Sequence, residues 1–210
     1  MPSSKPNVNF ALLPAAGQSA RMGRAKLSLP LGNHTILEQV VRSFRDGGVN
    51  EVLVVLAPTN EDLAVLANRA GAKVLVLDDL TADMRATAEQ GLAWLEAEFA
   101  PQPDDPWLLC PADHPVLKAG VIAQLLEAWK QRGAKDILVP TFNGQRGHPT
   151  AIAWRHGAGI RAAPPGRGMN VYLRKHSEET LEVPVANDSV LFDLDTPEDY
   201  VRLLQLWEET

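Results

Sequence analysis

The chain carries a single cysteine, Cys110, among 210 residues. An internal disulfide is therefore excluded, and a reducing compartment, the cytoplasm, is the expected setting. No apolar run approaches the ~20 residues that a membrane span requires. Met1 to Asn9 is polar and lacks the apolar centre of a signal peptide. Positive charge is also scarce, 20 basic residues against 26 acidic, and no basic tract or interleaving of cations with aromatics compensates. Nucleic acid and membrane are thus not expected partners. Internal repeats and low-complexity segments are missing as well. What remains is an ordinary globular composition, long enough for one sizeable domain over residues 1–210. An acidic chain that binds an anionic ligand must use a local cluster and a metal.

Such a cluster stands near the N-terminus. After the apolar run Phe10, Ala11, Leu12 and Leu13, the stretch Leu12 to Lys26 reads LLPAAGQSARMGRAK. Gly17 and Gly23 let the backbone turn sharply and approach a ligand, while Arg21, Arg24 and Lys26 supply positive charge. A triphosphate is the ligand this composition suits. Five residues separate Gly17 from Gly23, and Lys26 comes three later, so the spacing of a Walker A loop is not met. Ser19 stands where the dinucleotide fingerprint needs glycine, so that loop is excluded too.

The rest alternates between strand and helix patterns. Thr35 and Glu38 form a capping-box signal for a helix whose apolar face is Ile36, Leu37, Val40, Val41 and Phe44, ended by Gly47 and Gly48. Strands are predicted at Glu51 to Ala57, Lys73 to Leu77, Trp107 to Cys110, Asp136 to Pro140, Thr180 to Val185 and Val190 to Asp195. Helices are predicted around Glu61 to Arg69, Met84 to Phe99, and through Val121, Ile122, Leu125, Leu126 and Trp129. A last helix starts with Thr196 as cap and Pro197 at its first position, with Leu203, Leu204 and Trp207 as its apolar face. Trp94, Trp129 and Trp207 lie in helical patterns and read as core or interface anchors. Thr141 to Gly168 reads as a long loop, functional or mobile. This alternation implies a largely parallel sheet with helices on both faces, and ligands at the carboxyl ends of its strands.

Asp113, in the turn PADHP past a short strand, is placed at that end, where a hard oxygen ligand suits Mg²⁺ bridging phosphates. Asp193 and Asp195 alternate at another predicted strand end, so one of the two is expected to face the site. His148, between Gly147 and Pro149, has no apolar face to fill; acceptor contact and structural hydrogen bonding are equally weighted for it.

The stretch through Leu13, Ala15, Ala16, Gly17, Ser19, Arg21, Met22, Gly23 and Lys26 resembles the signature loop of the MobA-like nucleotidyltransferases, L-x-A-[AG]-G-x-[SG]-x-R-M-G-x-x-K. PADHP is similar to that family's D-x-P element, DLDTPEDY to its D-x-D-T-P-E-D element, and GQRGHP to its G-x-x-G-H-P loop. Met84, Thr87 and Gly91 resemble a further element near the base and ribose, with Asp83 in place of its leading glycine. In PPGRGMN, Pro165 and Gly166 replace a Gly-Asp pair, so no acidic role carries over there.

The resemblance implies a Rossmann-like three-layer α/β sandwich of the nucleotide-diphospho-sugar transferase type. It implies catalytic roles for Arg21, Lys26 and Asp113, and nucleotide binding by Ala15, Ala16, Gly17, Ser19, Arg21, Lys26, Met84 and Thr87. Acceptor binding falls to Gly147 and His148, and Mg²⁺ to Asp113 with Asp195 or, as the alternative, Asp193. The implied reaction moves a nucleotide from an NTP to a phosphorylated acceptor and releases pyrophosphate. Within the family, Ala-Ala-Gly at Ala15 to Gly17 is associated with cytidine, which points to CTP and molybdopterin cofactor, with a molybdoenzyme receiving the product. The alternatives are a sugar, polyol or choline phosphate as acceptor, or a non-catalytic nucleotide or molybdenum-cofactor carrier.

Overall fold

The computed structural model describes residues 8–17, 25–164 and 166–208. Strand β1 (Phe10–Ala15) is buried along its whole length and pairs in parallel with β4 (Glu51–Leu56) on one side and β6 (Pro106–Leu109) on the other. Its side chains alternate between two cores, Ala11 and Leu13 into one, Phe10 and Leu12 into the other. That is why this run lacks a polar face: both sides of the sheet are covered. A short hairpin, β2 (Pro30–Leu31) with β3 (His34–Thr35), leads from β1 into helix α1 (Ile36–Asp46).

The capping box of α1 forms as the sequence implies. Glu38 N donates to Thr35 Oγ1 at 3.4 Å, and Glu38 Oε2 accepts from Thr35 N at 2.8 Å. Such a cap stabilises a helix by about 1 kcal/mol. Glu38 also holds Arg69 at 2.6 Å, tying α1 to α2 (Asp62–Arg69). This guanidinium holds the Glu38 carboxyl down to about 2.

Beyond β5 (Lys73–Val76), helix α3 (Met84–Phe99) crosses the opposite face of the sheet. Gly91 allows the close approach: a Cβ there would stand 2.4 Å from Leu12 Cδ1 and 2.9 Å from Val55 Cγ2. Helix α4 (Ala119–Lys130) follows β6, then come β7 (Ile137–Phe142), β8 (Gln145–Arg146), β9 (Thr150–Ala153), α5 (His156–Arg161), α6 (Met169–Lys175), β10 (Thr180–Pro184) and α7 (Pro197–Glu208). The spatial order of the main sheet is β10-β7-β9-β6-β1-β4-β5, with β8 paired to β7.

Two expectations fail. The segment 141–168 is not one long loop: Asn143 and Gly144, at φ 49° and 79°, turn β7 back into β8, and β9 then inserts antiparallel between β6 and β7. Four buried residues, TAIA, are too short a run, without polar alternation, to carry a periodicity that sequence reading could detect. The segment 190–195 is not a strand. Its amides and carbonyls are committed to neighbouring loops: His148 N donates to Val190 O at 2.8 Å, and Leu194 N to Asp113 O at 2.9 Å. The last helix matches its start signal, with Asp199 N donating to Thr196 Oγ1 at 3.2 Å, but only Leu203 of its apolar face is buried.

Candidate functional site

The carboxyl ends of β1 and β6 lie side by side, so the loops that follow them meet. Lys26, in a 3-10 turn after the first loop, projects its ammonium between two acids from distant parts of the chain. Its Nζ stands 2.7 Å from Asp113 Oδ2 and 3.2 Å from Asp195 Oδ1, and it donates to Leu194 O at 2.6 Å. The Leu194 N to Asp113 O bond is a further cross-link between the two loops. Asp195, rather than Asp193, shares the lysine with Asp113. Because this segment is not a strand, the choice follows from its backbone anchoring and not from alternation.

Two clefts open on either side of this pair. One, about 530 Å³, is lined by Ala15, Ala16, Gly17 and Lys26 from the first loop, Met84 and Thr87 from α3, and Asp113 and Asp195. The other, about 390 Å³, is lined by Arg146, Gly147, His148, His114 and Asp193, and shares Met84, Pro111, Asp113 and Asp195 with the first. Every sequence-predicted site residue that the structure describes thus lines one cleft or both. Ser19 and Arg21, with Met22 and Gly23, lie outside the described residues.

At the start of α3, Asp83 is a cap, its Oδ1 accepting from Ala86 N at 2.8 Å. Thr87 is buried, with its hydroxyl 2.6 Å from that of Thr81, so it shapes the cleft floor. Arg85 turns away, donating to Ala163 O at 2.8 Å.

The floor of the second cleft is unusual. His114 and His148 face each other with ring centroids 4.7 Å apart. Burial lowers the His148 imidazole to about 4, with His114 adding to the effect. Burial lowers His114 too, although the Asp113 carboxylate opposes the shift. Both rings are therefore neutral at neutral pH. The thiol of Cys110, wholly buried beneath them, is raised by that burial and then by Asp113, so it is no nucleophile.

Asp113 Oδ1 is buried and has no hydrogen-bond partner among the described residues. A carboxylate oxygen in that condition costs free energy unless a cation or donor meets it. Asp113 and Asp195 therefore fit a hard divalent ion, which takes oxygen ligands of this kind. Sequence reasoning overlooked His114 and Arg146, although both stand inside quoted motifs. A histidine directly after a candidate metal acid was the available signal for the first.

His148 reaches this floor because β9 runs antiparallel. Its first residue, Thr150, pairs with Leu109 at the end of β6, so residues 147–149 just before it are delivered beside Asp113. Gly147 packs under the segment before Asp193: a Cβ there would stand 2.3 Å from Val190 O.

Comparison with known proteins bears on what this arrangement does. The MobA-like NTP transferase domain family matches residues 11–180. The molybdenum cofactor cytidylyltransferase of Escherichia coli is 23% identical over 198 residues, 94% of this chain and 96% of that protein. Among solved structures, Rv0371c from Mycobacterium tuberculosis superposes with a TM-score of 0.81 at 21% identity, over 96% of this chain and 100% of that one. A structure of Rv0371c in complex with manganese superposes with a TM-score of 0.68, at 21% identity over 94% and 98%. A 4-diphosphocytidyl-2C-methyl-D-erythritol synthase matches with a TM-score of 0.71, at 21% identity over 97% and 100%. The sheet and its flanking helices are of the nucleotide-diphospho-sugar transferase type expected from the sequence.

Proposed function

The chain belongs to the MobA-like NTP transferase family and is a nucleotidyltransferase, and from that premise we propose that it moves CMP from CTP to the phosphate of molybdopterin cofactor, with Mg²⁺, and releases pyrophosphate. The observation that carries this reading is the meeting of two clefts at Asp113 and Asp195. A nucleotide in the larger cleft and an acceptor in the smaller would bring their phosphates together at these two acids. The choice of CTP and pterin leans on the likeness to the E. coli cytidylyltransferase and on Ala15 to Gly17. The proposed setting is cytoplasmic, and a molybdoenzyme would take up the product.

The residues have separable tasks. Ala15, Ala16 and Gly17 have small side chains or none, so the triphosphate can lie against the backbone. As it arrives, Lys26 exchanges its bonds to Asp113 and Asp195 for the β- and γ-phosphates, where it offsets charge on the leaving pyrophosphate. Arg21 has the same task by resemblance. The freed acids of Asp113 and Asp195 would hold Mg²⁺, and the ion supplies charge neutralisation at the α-phosphate. On the acceptor side His114 and His148, held neutral, each commit a ring nitrogen to the backbone, of Phe192 and Leu109, and so form a fixed wall against which the acceptor is oriented for in-line attack. A phosphate monoester loses its second proton near pH 6, so its oxygen needs no general base. No covalent enzyme intermediate is required.

The test is pyrophosphate release by purified protein with Mg²⁺, across the four common nucleoside triphosphates, with and without molybdopterin cofactor. Release with CTP and pterin alone supports the proposal. Release instead with a sugar, polyol or choline phosphate keeps the reaction and replaces the acceptor. Unchanged turnover in Asp113→Ala would remove Asp113 from the chemistry, and cofactor delivery without turnover in the wild type would make the chain a carrier.

A further inference from the structure

The antiparallel course of β9 has a second result at the opposite end of the strands. As its start lies beside Asp113, its end delivers His156 to the end where β7 and β10 begin. There the backbone is stitched together, with Ala153 N donating to Asp136 O at 2.8 Å and Asp136 N to Glu179 O at 3.0 Å. His156, His176 and Glu179 converge on this spot, and one ligand atom from each lies within 4.8 Å of the other two.

We propose that His156, His176 and Glu179 form a binding site for a divalent transition-metal ion of the Zn²⁺ class, separate from the nucleotide and acceptor clefts. The donor set is two imidazoles and a carboxylate, the mixture Zn²⁺ prefers and Mg²⁺ does not. His156 is 6% exposed, and its Nε2 is buried without a hydrogen-bond partner among the described residues. That nitrogen stands 3.4 Å from Glu179 Oε2 and 3.7 Å from Asp136 Oδ2. Two ligand atoms about 2.0–2.1 Å from a tetrahedral Zn²⁺ are themselves about 3.3 Å apart, so the first of these pairs already has the required spacing.

The other ring nitrogen explains the orientation. His156 Nδ1 lies 2.9 Å from Tyr172 Oη, and a hydrogen bond there fixes the ring so that Nε2 faces the acids, the usual outer support of a metal-bound histidine. His176 is held between Tyr172 and His156, with ring centroids at 4.4 and 5.0 Å. Its Nδ1 is 2.8 Å from Glu179 Oε1, and an ion that displaced the proton between them would find both atoms in place. Asp136, paired with Arg155 at 3.2 Å, or water would complete the shell. The His176 and Glu179 side chains are 28% and 44% exposed, which leaves the site open to solvent.

Untagged full-length protein, stripped with a chelator, would be titrated with Zn²⁺ by calorimetry and with Co²⁺ by visible absorption. The expected result is one ion per chain, bound at least tenfold more weakly by both His176→Gln and Glu179→Gln. These partly exposed ligands are chosen because His156 is buried and its replacement can unfold the chain. Zn²⁺ should raise the thermal midpoint of the wild type and leave that of His176→Gln unmoved. Cys110→Ser and Asp113→Asn should bind Zn²⁺ as the wild type does. Equal affinity in both ligand variants, loss of binding in Cys110→Ser or Asp113→Asn instead, or no binding by the wild type would each overturn the assignment.

Discussion

The ammonium of Lys26 stands 2.7 Å from Asp113 Oδ2 while also reaching Asp195. One side chain thus holds the two acids that, on the proposed function, a metal ion must join. In the structure the lysine is their counter-charge. On that proposal a triphosphate would give it a more strongly charged partner, and its departure would expose the acids to a cation as the substrate arrives.

Lys26→Met should therefore act on stability as well as rate. Removing the shared ammonium is expected to cost about 1–2 kcal/mol without Mg²⁺, a discounted figure because Asp195 is partly exposed. Mg²⁺ should restore more of the thermal midpoint in the variant than it adds to the wild type. The value of kcat/KM for the nucleotide should fall by roughly 10²–10³. Identical melting curves and identical Mg²⁺ responses in the two proteins would sink this account.

Asp195 and Asp193 can be told apart by kinetics. Asp195 shares Lys26 and lines both clefts, whereas Asp193 lines only the acceptor cleft. Asp195→Asn is expected to lower kcat by about 10²-fold or more and to raise the Mg²⁺ requirement. Asp193→Asn should chiefly raise KM for the acceptor. The reverse pattern would exchange their roles.

Gly147 is fixed by its neighbour. Because a Cβ would meet the Val190 carbonyl at 2.3 Å, and backbone cannot swing aside as a side chain can, Gly147→Ala must displace the His148 loop. Acceptor KM should rise about tenfold or more, on the order of 1.4 kcal/mol, with nucleotide affinity unchanged. Equilibrium nucleotide binding beside steady-state kinetics separates the two effects; weakened nucleotide binding would contradict the division of the clefts.

Acid should weaken the fold in two stages. His148 is lowered from 6.5 to about 4, so between these values the unfolded chain takes up a proton that the folded one refuses, and stability falls as pH falls. Glu38 is lowered from 4.5 to about 2, so the stability from its Arg69 pair is complete above 4.5 and lost on the way to 2. Urea midpoints measured from pH 7 to pH 3 should show both stages. His148→Gln should reduce the upper slope by about one proton. Glu38→Gln should shrink the lower stage without removing it, because the carboxyls of Glu127, Glu179 and Asp199 are also held below their ordinary values. A flat profile from pH 6.5 to 4.5 in the wild type would show that His148 titrates normally.

Much of this architecture is legible in the sequence. The α1 capping box, the bounds of α3 and the buried runs of β1 and β4 follow from local patterns of residues that satisfy their own neighbours. The motifs around Lys26, Asp113 and His148 likewise mark the clefts before any coordinates. What is illegible depends on partners far along the chain. Nothing local in TAIA says that it will slide between β6 and β7, and nothing in VLFDLD says that its backbone will bond to the turns at Asp113 and His148 rather than to a strand. The convergence of His156, His176 and Glu179 is hidden for the same reason: only the direction of β9 brings the first to the other two.

That direction also divides the protein's capacity to change. The nucleotide loop hangs from β1, held between two parallel neighbours, and any shift there disturbs the centre of the sheet. The acceptor wall hangs from a four-residue insert and a tight hairpin, and substitutions in it leave the pairing of β1, β4 and β6 intact. If the two clefts divide the substrates as proposed, a lineage built on this plan can exchange one phosphorylated acceptor for another by altering residues 143–149 while its donor chemistry is inherited unchanged.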